Sequence, residues 1–216
     1  MKSRGPCAAR TADGLYQGIS PFAALQGRNT RLDRVPMEEL SLHILDLVEN
    51  CIAAGAQHVE IQIRESRQDD LLAIEIADDG SGMSENVLQT VTDPFFTTRT
   101  TRRVGLGVSL FEQAAKIAGG ELQIESRPGA GTKVTGLFKR SHLDRQPLGD
   151  IAGTLLTLVV GNPQVDFTYV HQTDNSEISF SAREIKTRLG GIAINSPEGI
   201  AAVRKSLEKV RQDAEG

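Results

Sequence analysis

Asp78-Asp79-Gly80-Ser81-Gly82-Met83 follows directly on an alternating apolar stretch, Leu72, Ile74 and Ile76, and so sets two carboxylates and a glycine-rich turn at the end of a strand. Val59, Ile61 and Ile63 alternate in the same way before a polar turn around Gln68 to Asp70, which makes the two runs a hairpin with one buried face. Upstream, from Glu38, Leu40, Ile44, Leu47, Val48, Cys51 and Ile52 recur at i, i+4, i+7 and i+8. This is the spacing of an amphipathic helix, and Gly55 ends it. Downstream, Ser84 can cap a short helix reaching Val91, and residues 92–104 read as a loop rich in Thr and Arg. Gly107 to Ala118 is again helical and is closed by Gly119-Gly120. Leu122 to Ser126 and Lys133 to Lys139 are strands joined by the Pro128-Gly129-Ala130-Gly131 turn.

Outside this segment the pattern changes. Residues 1–36 show no sustained periodicity and are expected to be a flexible extension, with Met37 a candidate start directly before the first helix. His142 to Leu148 is polar and carries a proline, the composition of a linker. Gly149 to Val160 is a helical candidate. Asp166 to Val170 and Glu177 to Phe180 alternate around a polar turn, and Ala182 to Leu189 and Pro197 to Asp213 look helical, with Asn195 or Ser196 as a cap. Residues 149–216 are therefore expected to form a small α+β domain of their own.

Composition narrows the functional classes. The 216 residues are 39% apolar and 24% charged, which are globular values. A net charge of −4 argues against a dedicated nucleic-acid binder, because phosphate backbones need concentrated basic surface. No run approaches the roughly 20 apolar residues of a membrane span, and residues 1–20 contain no continuous apolar stretch of the secretory kind. A cytoplasmic location is the default expectation. Cys7 and Cys51 lie far apart and form no ligand cluster; Cys51, on the apolar face of its helix, reads as core. His142 and His171 lack any surrounding constellation and read as surface or structural histidines.

Three groups of residues can carry chemistry. His43, Asp46 and Asn50 recur at i, i+3 and i+7, so they share one helix face opposite the apolar stripe. An Asn oxygen there can ligate Mg²⁺ while the metal keeps waters and takes phosphate oxygens, and a carboxylate one turn earlier can polarise an attacking water. Glu49 points roughly a hundred degrees away. A merely solvated face is the plain alternative. Asp78, at the end of its strand, can accept a hydrogen bond from an exocyclic amine, while Gly80 and Gly82 let backbone approach a ligand; an ordinary turn is the alternative. Val104-Gly105-Leu106-Gly107 opens a helix, where backbone N–H groups and the macrodipole favour phosphate. Arg99, Arg102 and Arg103 just before it can neutralise a triphosphate or simply form a charged loop. Neither the G-x-x-x-x-G-K-[ST] loop nor a G-x-G-x-x-G after a strand is present.

The order of these pieces over residues 38–139 resembles the GHKL superfamily, the ATPase fold of histidine kinases, mismatch-repair ATPases and type II topoisomerases. Leu47-Val48-Glu49-Asn50-Cys51-Ile52-Ala53-Ala54-Gly55-Ala56 resembles its N box, and Asp78 to Met83 its G1 box. Asp93-Pro94-Phe95-Phe96-Thr97-Thr98-Arg99 resembles the F box of histidine kinases, Gly105-Leu106-Gly107 their G2 box, and Gly129-Ala130-Gly131-Thr132 the last glycine box. The resemblance implies an α/β fold, an α+β two-layer sandwich of the Bergerat type over residues 37–141, with the C-terminal unit as an extension. It implies ATP and Mg²⁺ as ligands. Asn50 would hold the metal, Asp78 would recognise adenine, and Gly80, Gly82 and Met83 would shape the base side. Thr98, Arg99, Val104, Gly105, Leu106 and Gly107 would contact phosphate beneath a lid, and Thr132 would support the adenine site by hydrogen bonding.

The chain also departs from the pattern. Arg103 stands where the G2 box usually carries a further glycine. Asp46 occupies the place where ATPase members use Glu, shorter by one methylene, or about 1.5 Å of reach. Fast autonomous hydrolysis is therefore not expected, and Asp46, with His43, is the candidate catalytic pair. Residues 1–37 carry no histidine and no heptads, so a self-contained two-component sensor is not expected. Two functions fit: a stand-alone kinase-type module, histidine-kinase-like or anti-sigma serine-kinase-like, whose acceptor lies on a protein partner, or a non-catalytic module whose contacts respond to ATP. A mismatch-repair or topoisomerase-like DNA role is a distant third.

Overall fold

The computed structural model describes residues 39–90 and 107–214. The expected N-terminal extension and the whole of the Thr/Arg loop lie outside them. The elements run α1 (Leu40–Ala53), β1 (His58–Ser66), β2 (Leu71–Asp78), α2 (Glu85–Leu88), α3 (Gly107–Ile117), β3 (Glu121–Ser126), β4 (Thr132–Lys139), α4 (Ile151–Gly161), β5 (Asp166–Gln172), β6 (Glu177–Ser181), α5 (Ala182–Leu189) and α6 (Pro197–Ala214). Ser84 does stand at the N-cap of α2, but its side chain makes no capping hydrogen bond and the helix is a single turn.

The strands form one six-stranded sheet in the order β3-β4-β2-β1-β5-β6. All neighbouring pairs are antiparallel except β1 and β5, which run parallel from His58 opposite Asp166 to Arg64 opposite Gln172. Alternation assigns the two faces. Val59, Ile61 and Ile63 of β1, Leu72, Ile74 and Ile76 of β2, and Phe167 and Tyr169 of β5 are buried beneath the helices. Glu60, Gln62 and Arg64 point to the exposed side. The helix layer closes the core with Leu40, Ile44, Leu47 and Val48 from α1, Phe111 and Ala115 from α3, Leu155 and Leu158 from α4, and Val203 and Leu207 from α6.

The boundary expected near residue 149 does not divide the sheet. β5 and β6 continue it beyond β1, and the described residues on both sides of that boundary share one core. The segment expected as a linker is docked as well. The carbonyls of Pro147 and Leu148 accept hydrogen bonds, each of 2.9 Å, from the Leu40 and Ser41 N–H groups. Glu39 makes no side-chain cap, so two of the amides that every helix start leaves unpaired are satisfied by this segment instead.

Candidate functional site

The residues expected on the base side form a row across the sheet. Asp78 is the register partner of Thr132, Thr132 that of Ser126, and Val59 pairs with Asp78 on the other side. Directly opposed residues project to the same face, and this row continues the helix-covered side of the sheet. α1 lies over it. Gly80 N–H donates to Asp78 Oδ1 at 2.8 Å, and Ser81 N–H donates to the Ala54 carbonyl at 2.9 Å, so the G1 turn is tied to the C-terminal end of α1. Cys51 is buried on that helix, with its thiol donating to the Leu47 carbonyl at 3.3 Å. Burial, then the charge and hydrogen bonding of neighbouring Asp78, push the Cys51 thiol far upward, so it stays protonated beside the carboxylate.

Two glycines let the turns interlock. Gly82 (φ +65°) and Gly131 (φ +80°) both occupy the left-handed region. A Cβ on Gly82 would overlap the Arg127 carbonyl, and one on Gly131 would overlap that of Asp78. Gly129 N–H donates to the Ser81 carbonyl at 2.7 Å and Met83 N–H to Ser126 Oγ at 2.8 Å. Ser126 Oγ also lies 2.9 Å from the Gly131 carbonyl and 2.9 Å from Thr132 Oγ1. The expected base-side residues Asp78, Gly80, Gly82, Met83 and Thr132 therefore converge.

Of the residues expected on the phosphate side, Gly107 lies where α3 meets α1. A Cβ on Gly107, at the start of α3, would lie 3.1 Å from Asp46 Cβ and 3.6 Å from Asn50 Nδ2. The absent side chain brings the N-terminus of α3 against the α1 residues expected to serve metal and chemistry. The first turn of α3 carries no acidic residue of its own, and the nearest carboxylate-bearing side chain is that of Asp46 on α1. Asp46 is exposed and Asn50 half-buried. Among the described residues no group of three or more His, Cys, Asp or Glu could hold a metal. A lone Asn ligand suits Mg²⁺, which keeps waters and takes substrate phosphate oxygens for its other positions. Thr98, Arg99, Val104, Gly105 and Leu106, with Arg102 and Arg103, lie outside the described residues.

His43 does not belong to this open face. It is 4% exposed, its ring stands 5.9 Å from that of Phe111, and Nε2 is 3.1 Å from Gln146 Oε1. α3 and the docked 145–148 segment cover the side of α1 that the helical spacing left polar. His43 is therefore packed into the core, away from the open face on which Asp46 stays exposed.

Sequence reasoning missed two features. One is Ser126. The other is Asp79, whose Oδ1 accepts from the Gln57 and His58 N–H groups at 2.7 and 2.9 Å and whose Oδ2 meets His58 Nδ1 at 2.8 Å. Partial burial would raise its pKa, but these hydrogen bonds outweigh that and hold the carboxyl below its ordinary range. Arg183 Nη2, which can only donate, lies 2.6 Å from His58 Nε2, so Nε2 accepts and Nδ1 carries the proton toward Asp79. Arg183 and Lys186 then meet Asp166 at 2.9 and 2.8 Å. The polar chain joins the G1 turn to β5 and α5. Its only local signal was the second Asp of the turn.

Residues 38–142 match the family described as histidine kinase-, DNA gyrase B- and HSP90-like ATPases. The sensor protein kinase FleS of Pseudomonas aeruginosa is 38% identical over 92 residues, covering 43% of this chain and 23% of that protein. The histidine protein kinase DivJ of Caulobacter vibrioides is 31% identical over 129 residues, covering 58% of this chain and 21% of that protein. The sensor histidine kinase ZraS of Escherichia coli is 29% identical over 116 residues, covering 51% and 25%. The chain thus spans about a quarter or less of the length of these relatives. The match and these relatives support a histidine-kinase-like ATPase domain over residues 38–142, and the mixed α/β sheet and helix layer are consistent with it. Among the described residues no helix is long and apolar enough to cross a membrane.

Proposed function

We propose that the chain is a kinase-type catalytic module that binds Mg-ATP and phosphorylates or regulates a protein partner. The observation that carries this is the seat of Gly107 against Asp46 and Asn50, which sets a helix N-terminus, a metal-suited amide and a carboxylate around one point. Phosphoryl transfer needs mainly positioning and charge stabilisation, and these groups supply both. Asn50 would hold Mg²⁺, Asp78 would accept from the adenine amine, the α3 N-terminus would bind the phosphates, and Asp46 would orient the incoming nucleophile. The short reach of Asp46 favours transfer to a partner's side chain over hydrolysis, and it also supports a second reading, an ATP-responsive module without turnover.

Calorimetry with Mg-ATP tests the pocket: Asp78→Asn abolishes binding, and unchanged affinity removes the assignment. Asn50→Ala removes the Mg²⁺ dependence. Incubation with γ-labelled ATP and candidate partners separates the two functions. Label on a partner identifies the kinase, whereas ATP-dependent association without transfer identifies the responsive module.

A further inference from the structure

We infer that Ser126 is a specificity-determining residue of the nucleotide pocket: it fixes the Thr132 hydroxyl as an acceptor and so selects a purine with an amino group at position 6. The inference rests on the ATP-binding reading above and deepens it.

It follows from counting protons. A serine hydroxyl has one proton to donate and two lone pairs to accept with. Met83 N–H lies 2.8 Å from Ser126 Oγ and can only donate, so it takes one lone pair. The Gly131 carbonyl lies 2.9 Å away and can only accept, so it takes the proton; without it two oxygens would face each other at contact distance. Thr132 Oγ1, 2.9 Å from Ser126 Oγ, must then donate into the second lone pair. Its single proton is committed, and any further hydrogen bond it makes is as an acceptor.

Thr132 is the register partner of Asp78 and projects to the same face. Asp78 is a carboxylate, also an acceptor. Two acceptors side by side receive N–H groups directly, as a 6-amino purine offers. A 6-oxo purine turns a carbonyl oxygen toward the same place and meets lone pairs. Ser126 itself need not touch the nucleotide. It is a positioning residue acting through Thr132, and the three anchors on its hydroxyl hold that polarity in place.

The test is the ratio of ATP to ITP affinity, measured by calorimetry on the full chain with Mg²⁺. ITP exchanges the 6-amino group for a carbonyl and leaves the ribose and phosphates unchanged. The wild type is expected to prefer ATP by about 100-fold. Ser126→Ala releases the Thr132 proton to rotate toward the ligand, so ITP gains relative to ATP and the ratio falls about tenfold. Ser126→Thr keeps a hydroxyl and restores it. In a Thr132→Val background, Ser126→Ala no longer changes the ratio, since the hydroxyl it would release is gone. Loss of ATP and ITP binding in equal proportion in Ser126→Ala overturns the inference, leaving Ser126 a purely structural anchor. A wild type that binds ATP and ITP equally overturns it too. A wild type that binds neither overturns the pocket itself. If Ser126→Ala fails to fold, Thr132→Val alone must lower ATP affinity while sparing ITP, and equal loss of both refutes the proposal.

Discussion

Gly107 and Asp46 are in contact through a missing atom: the Cβ that Gly107 lacks would stand 3.1 Å from the Cβ of Asp46. The N-terminus of α3 reaches α1 only because no side chain stands between them. Glycine here serves a close approach between helices rather than an unusual dihedral.

Gly107→Ala therefore pushes α3 outward by a few tenths of an ångström. Overpacking of this kind costs about 1 kcal/mol of stability or somewhat more. Mg-ATP affinity is expected to fall roughly tenfold, equivalent to about 1.4 kcal/mol. Calorimetry beside a thermal melt reads both effects; an unchanged Kd would place the phosphates elsewhere.

Gly131→Ala is the harsher change. It combines a φ of +80° with a Cβ that would collide with the Asp78 carbonyl, so the β3–β4 turn and the G1 turn cannot both keep their places. A loss of at least about 2 kcal/mol is expected, together with ATP binding. Gly129→Ala, where φ is also positive but a Cβ meets nothing within 4 Å, should cost less. Chemical denaturation of the pair tests the ordering.

His43→Ala should act on stability and not on chemistry. Removing a buried ring packed on Phe111 leaves a cavity worth about 2–4 kcal/mol. At a temperature where the variant is folded, its Mg-ATP affinity should stay within about twofold of the wild type. A selective loss of phosphoryl transfer with normal stability would return His43 to the catalytic machinery.

Glu65 gives stability a pH dependence. The hydrogen bond from His171, with the charges of His171 and Arg140, outweighs burial and lowers its pKa below the ordinary 4.5. A carboxyl held lower in the folded state than in the unfolded chain stabilises the fold above about pH 4.5, and that contribution is lost as pH falls through the folded value. Glu65→Gln should lower stability by about 1 kcal/mol near neutrality and by progressively less toward acid. Melts between pH 7 and pH 3 give the difference, and a constant gap across that range would contradict it.

Much of this was legible in the sequence. Strict alternation in β1 and β2 and the 3.6-residue stripe on α1 are local signals, and the glycine turns announce themselves by composition. What stayed hidden is non-local. The pairing of β5 with β1 depends on which strand edge is available across about a hundred residues, and alternation within Asp166–Gln172 carries no record of its neighbour. The capping of α1 by Pro147 and Leu148 uses backbone carbonyls, which leave no trace in residue identity. His43 was misplaced because periodicity describes one buried stripe, whereas α1 is covered on a second side by Phe111 and Gln146. Ser126 looked like any strand-end serine until its three partners were assembled around it.

The position of β5 has one more consequence. By lying alongside β1 it occupies a row of backbone donors and acceptors that would otherwise template a strand from another molecule. Among the described residues the sheet's open borders fall instead on β3 and β6. β3 carries exposed Glu121, Gln123 and Glu125, and β6 is only five residues long and starts at exposed Glu177. Charge on one border and brevity on the other discourage edge-to-edge pairing with a second molecule, so the C-terminal strands limit self-association through the sheet as well as completing its core.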